Sequence, residues 1–205
     1  MAFGPIITYK HYNFYPHILG AYIDTISREK LGEWHKDRIK RLMFNKPVNI
    51  LAIETIPSYK EALAILDILP EFPGSRCWIS FQCKNESSTA KNEPIEEAFK
   101  AVLEHPEALR VKAIGVNCVK PSQVSELLKK MNSVNHWRSW PDNDFFKKIP
   151  YVVYPNGGQD WDAKKKVWIG VRDDIIKHIK EWMMLGELMF CFTDKEQIFL
   201  LDRMA

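Results

Sequence analysis

Three short apolar runs in this chain each end in residues with chemistry to offer. Ile50-Leu51-Ala52-Ile53 stops at Glu54, Ala113-Ile114-Gly115-Val116 stops at Asn117-Cys118, and Tyr151-Val152-Val153-Tyr154 stops at Pro155-Asn156-Gly157-Gly158. A helical pattern follows the first two closely and the third after a longer loop. In a parallel sheet such strands all finish on one face. Glu54, Cys118 and Asn156 are therefore expected to meet there, on the face where α/β barrels keep their chemistry.

The rest of the chain supports the alternation. Residues 1–26 are rich in Tyr, Pro and His and show no clean period. A helix is expected from about Ser27, carrying Leu31, Trp34, Ile39, Leu42 and Met43 at helical spacing. Ser58-Tyr59-Lys60-Glu61 has the form of a capping box, with Glu61 expected to reach back to the helix start. Cys77–Phe81 reads as a strand, Pro94 as a helix start, Ser122–Met131 as a helix and Asn132–Lys148 as a long loop. A Gly-containing loop leads to a helix from about Asp173 to Leu185, stopped by Gly186. Glu187–Phe192 is a candidate last strand and Glu196–Met204 a last helix. Five strand–helix units with short connections predict a parallel sheet with right-handed crossovers. Five are too few to close an eight-unit barrel.

Length and composition narrow the class. A chain of 205 residues suits one domain, spanning 1–205, with a sizeable core. The net charge of +3 is interspersed, and Lys164-Lys165-Lys166 reads as a solvated loop, so no nucleic-acid partner is expected. No apolar run approaches the ~20 residues of a membrane helix. The N-terminus lacks the pattern of a secretory signal. Cys77, Cys83, Cys118 and Cys191 show no CxxC spacing and read as reduced thiols, which points to the cytoplasm.

Four segments stand together in a familiar order: Leu51-Ala52-Ile53-Glu54-Thr55-Ile56-Pro57, Trp78-Ile79-Ser80-Phe81-Gln82-Cys83, Ile114-Gly115-Val116-Asn117-Cys118 and Val153-Tyr154-Pro155-Asn156-Gly157-Gly158. In order and spacing they resemble the homocysteine S-methyltransferase family, and Gly20-Ala21-Tyr22-Ile23-Asp24 and Trp34-His35 fit as well. The match runs from roughly Gly20 to Gly186. The resemblance implies a parallel (βα) TIM-barrel fold, here incomplete at both ends, and Zn²⁺ held by three cysteines. Cys118 matches the first of these. The other two stand in a later Gly-Gly-Cys-Cys segment, where this chain reads Glu187-Leu188-Met189-Phe190-Cys191-Phe192-Thr193-Asp194. An early Asp-Gly-Gly segment of the family has no counterpart here.

The implied chemistry is methyl transfer from S-methylmethionine or S-adenosylmethionine to homocysteine, giving methionine. A thiol is a poor nucleophile, and coordination to zinc would make it a thiolate at neutral pH. Three protein thiolates leave the fourth tetrahedral position to the substrate sulfur. Glu54 matches a carboxylate that holds the amino group of homocysteine, which needs a charge-assisted acceptor. Asn117, beside the ligand, would orient it and line the substrate site. Cys191 and Asp194 are conceivable replacement ligands.

Each role has a plainer competitor. A cysteine at a strand end can be a small buried hydrophobe, Glu54 can cap a helix or pair with a lysine, His35 can be a packing or surface residue, and a Pro-Asn-Gly turn accounts for Asn156. The alternative for the whole chain is a catalytically inactive, truncated or spliced relative acting as a binding protein. Open sheet edges would then invite self-association.

Overall fold

The computed structural model describes residues 3–7, 20–44, 50–136, 138–140, 143–162, 164–186 and 188–190. In chain order the strands are β1 (Phe3–Ile7), β2 (Ile50–Ile56), β3 (Cys77–Phe81), β4 (Val111–Asn117), β5 (Arg138–Trp140), β6 (Asn143–Lys147), β7 (Tyr151–Tyr154), β8 (Asp160–Asp162), β9 (Val167–Ile169) and β10 (Leu188–Phe190). The helices are α1 (Arg28–Met43), α2 (Tyr59–Ile68), α3 (Ile95–Leu103), α4 (Pro121–Val134) and α5 (Ile176–Leu185).

One sheet of six strands, ordered β1-β2-β3-β4-β7-β10, organises the chain, and every neighbouring pair in it is parallel. Each crossover carries one helix, as parallel pairing requires. This is the βα arrangement of a TIM-type barrel, open among the described residues, with β1 and β10 at its edges.

The four inner strands lie where the apolar runs placed them. The expected count of five units is one strand short, because β1 falls in the Tyr- and Pro-rich stretch whose composition carries no strand period. The loops on either side of β7 also contain antiparallel hairpins, β5–β6 and β8–β9. The candidate helix 196–204 and the side chains of Cys191 and Asp194 lie outside the described residues.

The sheet has two different faces. Leu51, Ile53, Cys77, Ile79, Phe81, Ile114, Val116, Tyr151 and Val153 pack into the large core shared with the helices. The alternate positions Ala52, Trp78, Ala113, Val152 and Tyr154 form a smaller cluster on the opposite, inner face. Gly115 belongs to this inner series, and there β4 and β7 run very close together. A Cβ at Gly115 would lie 1.7 Å from the carbonyl oxygen of Val152.

Two caps set the helices that flank β2. The Ser27 hydroxyl accepts from the Lys30 N–H (3.2 Å), and Ser58 does the same for Lys60 (3.1 Å). The second half of the expected capping box is replaced. Glu61 turns inward, where its carboxylate is engaged by the Tyr22 hydroxyl and by His35 Nε2 at 2.8 Å. Glu93, from the loop after β3, serves the start of α2 instead. It accepts from the Ser58 hydroxyl (2.6 Å) and from the Tyr59 N–H (3.0 Å). His35 is fully buried, so of its two expected settings the packing one holds.

Candidate active-site mouth

The C-terminal ends of β2, β4 and β7 meet at one rim, so the residues singled out in the sequence come together. Glu54 stands on the inner face of β2 in series with Ile50 and Ala52. Asn117 follows Ala113 and Gly115 on the inner face of β4, and Cys118 comes directly after. The Cys118 N–H donates to the Tyr154 carbonyl (3.1 Å), and the Asn156 side-chain amide donates to the Cys118 carbonyl (3.3 Å). Asn156 also closes its own turn by accepting from the Gly158 N–H (2.8 Å). The rim contact and the plain turn are therefore both real.

Backbone irregularity shapes this rim. Ile53 pairs with Ile79 and Ile56 with Phe81, so β2 has one residue more than β3 over that interval. The extra residue is accommodated at Thr55, whose φ of 61° is left-handed. Such bulges turn a strand locally and re-aim its side chains. Here the bulge returns Ile56 to the helix-side core directly after Glu54 has faced inward. Cys118 has φ 54°, a second left-handed residue at the matching end of β4. For side chains with a Cβ this region is costly and persists only when the surroundings enforce it.

Asn117 does the enforcing. Its Oδ1 accepts from the Thr55 N–H (2.8 Å), and its Nδ2 donates to Thr55 Oγ1 (2.8 Å) and to Cys118 Sγ (3.3 Å). One buried amide thus clamps both left-handed residues across two strands. The Nδ2–Sγ contact is the one through which the expected orienting role of Asn117 would act.

The two reactive groups sense each other. Burial pushes the Cys118 thiol up, hydrogen bonds from Thr55 and Asn117 pull it down, and the nearby Glu54 charge pushes it up again. The residue is open to solvent at the rim even though its neighbours displace much of the water around the sulfur. Glu54 is held above the usual carboxylate range by burial, offset by a hydrogen bond from Tyr154. That bond, Tyr154 Oη to Glu54 Oε2 at 3.1 Å, is matched by no cationic side chain among the described residues. Among the described residues, neither helix capping nor a lysine pair accounts for this carboxylate. Tyr154 is in turn hydrogen-bonded to the buried Ser80 hydroxyl.

Ser80, Trp78 and Thr55 carry no functional reading in the sequence. The signal for Ser80 is its polar side chain on the inner-facing alternate position of an otherwise apolar strand.

A zinc site requires four donors, usually with thiolate or imidazole among them. Among the described residues no group of three or more His, Cys, Asp or Glu side chains is placed to hold a metal ion. Cys118 supplies one thiol, and the described residues do not make up the implied three-thiolate set.

A parallel βα array with a carboxylate and a cysteine clamped at the carboxyl-end rim defines a barrel-type α/β protein with a polar mouth. Comparison with known proteins makes the class specific. The family model for homocysteine S-methyltransferase matches residues 2–191, and the chain belongs to that family. It is 34% identical over 190 residues to betaine-homocysteine S-methyltransferase of Drosophila melanogaster, covering 90% of this chain and 54% of that protein. It is 31% identical over 175 residues to homocysteine S-methyltransferase 2 of Arabidopsis thaliana, covering 82% of this chain and 47% of that one. The apo crystal structure of the homocysteine methyltransferase MmuM from Escherichia coli superposes with a TM-score of 0.65 at 20% identity, covering 94% of this chain and 58% of that chain. The chain spans about half the length of the relatives it matches.

Proposed function

We propose that the mouth binds homocysteine and that the chain carries the acceptor half of a methyl transfer from S-methylmethionine or S-adenosylmethionine, giving methionine. The observation that carries this reading is Glu54. Among the described residues it is a half-buried carboxylate with one neutral donor and no cation, next to an accessible sulfur. A carboxylate in that state has acceptor capacity left for an ammonium group, and charge-assisted hydrogen bonds are the strong ones. Glu54 would hold the amino group of homocysteine, Cys118 would mark the sulfur end, and Asn117 would fix the spacing between them.

The wording Glu54-Thr55-Ile56-Pro57 supports a sulfonium donor over betaine. Zinc is the cofactor that membership implies, with Cys118 as one donor. Three free thiols, at Cys77, Cys83 and Cys118, suit the cytoplasm.

The test is calorimetric titration of the purified chain with L-homocysteine, followed by methionine assays with S-methylmethionine, S-adenosylmethionine and betaine and by metal analysis. Binding that Glu54→Gln weakens about tenfold or more, with methionine formed from a sulfonium donor, is the expected result. No binding of homocysteine removes the reading.

A second reading rests on Cys118 being the single described thiol at the mouth. The chain would bind homocysteine without transferring methyl groups, and would associate with other chains through the edges of its sheet. Binding without methionine formation, together with a dimer or larger species in size exclusion, would favour it.

A further inference from the structure

Glu54 and Tyr154 lie 100 residues apart in sequence. Their strands are separated in the sheet by β3 and β4, so the Tyr154 side chain crosses the inner face to reach β2. On the way it meets Ser80 of β3, which is fully buried, and Tyr154 itself is 4% exposed.

The direction of the hydrogen bonds in this chain of groups is fixed by counting. An ionised carboxylate only accepts, and a phenol has one proton to give. The Tyr154 proton therefore goes to Glu54. Ser80 must then donate to the phenolic oxygen. With one bond given and one received, the Tyr154 hydroxyl is held from both sides.

We propose that Tyr154, locked by Ser80, is a positioning residue that aims the Glu54 carboxylate at the ligand's ammonium group and so sets the preference for α-amino thiols over thiols lacking the amine. The proposal rests on homocysteine binding at this mouth. One Glu54 oxygen is occupied by the tyrosine, which turns the remaining acceptor positions toward the rim. The inner-face neighbours Ala52 and Ala113 are too short to hold the carboxylate by packing. Burial of the tyrosine against the Glu54 charge keeps its hydroxyl protonated, well above the ordinary phenol range, so the donor is always present.

The test compares L-homocysteine with 4-sulfanylbutanoate, the same molecule without its amino group, by calorimetry on wild type, Tyr154→Phe, Ser80→Ala, Glu54→Gln and the Tyr154→Phe/Glu54→Gln double variant. Tyr154→Phe should weaken homocysteine about tenfold and leave 4-sulfanylbutanoate unchanged. Ser80→Ala should act in the same direction with a smaller effect. In the Glu54→Gln background the loss on Tyr154→Phe should vanish. Equal weakening of both ligands, or a loss that persists without Glu54, means that the tyrosine only packs, and overturns the proposal.

A ligand-free readout separates this from failure of the functional reading. With carbon-13 on glutamate carboxyls, the Glu54 resonance, assigned by its absence in Glu54→Gln, should move in Tyr154→Phe and in Ser80→Ala. If wild type binds no homocysteine, or Glu54→Gln binds it unchanged, the functional reading fails. The aiming of Glu54 then stands or falls on whether that resonance moves.

Discussion

Two glutamates on either side of the turn into α2 meet opposite fates. Glu61 is fully buried, and Tyr22 and His35 engage its carboxylate from the 20–26 segment and α1. Glu54, seven positions earlier, is only half-buried and has, among the described residues, a single neutral donor. Each has a tyrosine partner, but only one has a basic group as well. A buried carboxylate that has its partners is a structural fastener. One that reaches a rim without a described cation keeps acceptor capacity, which is what the proposed homocysteine site uses. Burial and residue type alone would rank Glu61 as the more unusual of the two, and the partner count reverses that ranking.

The sharpest way to break this contrast is to remove each carboxylate. Glu61→Ala should cost about 3 kcal/mol or more, since it empties a buried site and strands His35 and Tyr22. Glu54→Ala should cost far less in urea unfolding. Equal losses would dissolve the distinction.

Asn117→Ala comes next, at about 2 kcal/mol, because it leaves the buried Thr55 N–H unpaired and frees two left-handed residues. It should also weaken homocysteine binding by disturbing the distance between carboxylate and sulfur. A variant that unfolds earlier but binds equally well would confine Asn117 to a structural part. Tyr22→Phe should cost about 1–2 kcal/mol in thermal unfolding, without any effect on homocysteine binding.

The smallest effect is a pH dependence. Because the native carboxyl of Glu54 titrates above its unfolded value, the native state holds that proton longer as pH rises. Its contribution to stability is therefore greatest below the ordinary carboxylate range and falls as pH rises through the raised native value. Glu54→Gln should match wild type in acid and become the more stable of the two near neutrality. Wild type remaining the more stable at neutral pH would show that Glu54 is satisfied after all.

What the sequence disclosed was local. Apolar runs ending in turn residues located β2, β3, β4 and β7, and parallel order placed Glu54, Cys118 and Asn156 at one rim. Ser58 was legible as a cap because the cap lies within a few residues of the helix it serves. The partner of that cap was not, since Glu93 arrives from 35 residues away. The Asn117–Thr55 clamp and the Tyr154–Glu54 bond depend on which strands face each other, and no periodicity encodes that. β1 escaped notice for a different reason: Gly4-Pro5 interrupts a five-residue strand whose place is fixed by pairing with β2. The two small hairpins follow the same rule, being read as loops because their strands are mostly three residues long.

The thiols differ among themselves as the glutamates do, and this has a practical use. Burial pushes Cys77 up to about 12 and Cys83 higher still, so neither offers a reactive sulfur to solvent at ordinary pH. Cys118, at the rim, is the described thiol that an alkylating dye can reach. A fluorophore or spin label attached there, in a chain carrying Cys191→Ser, would sit at the mouth.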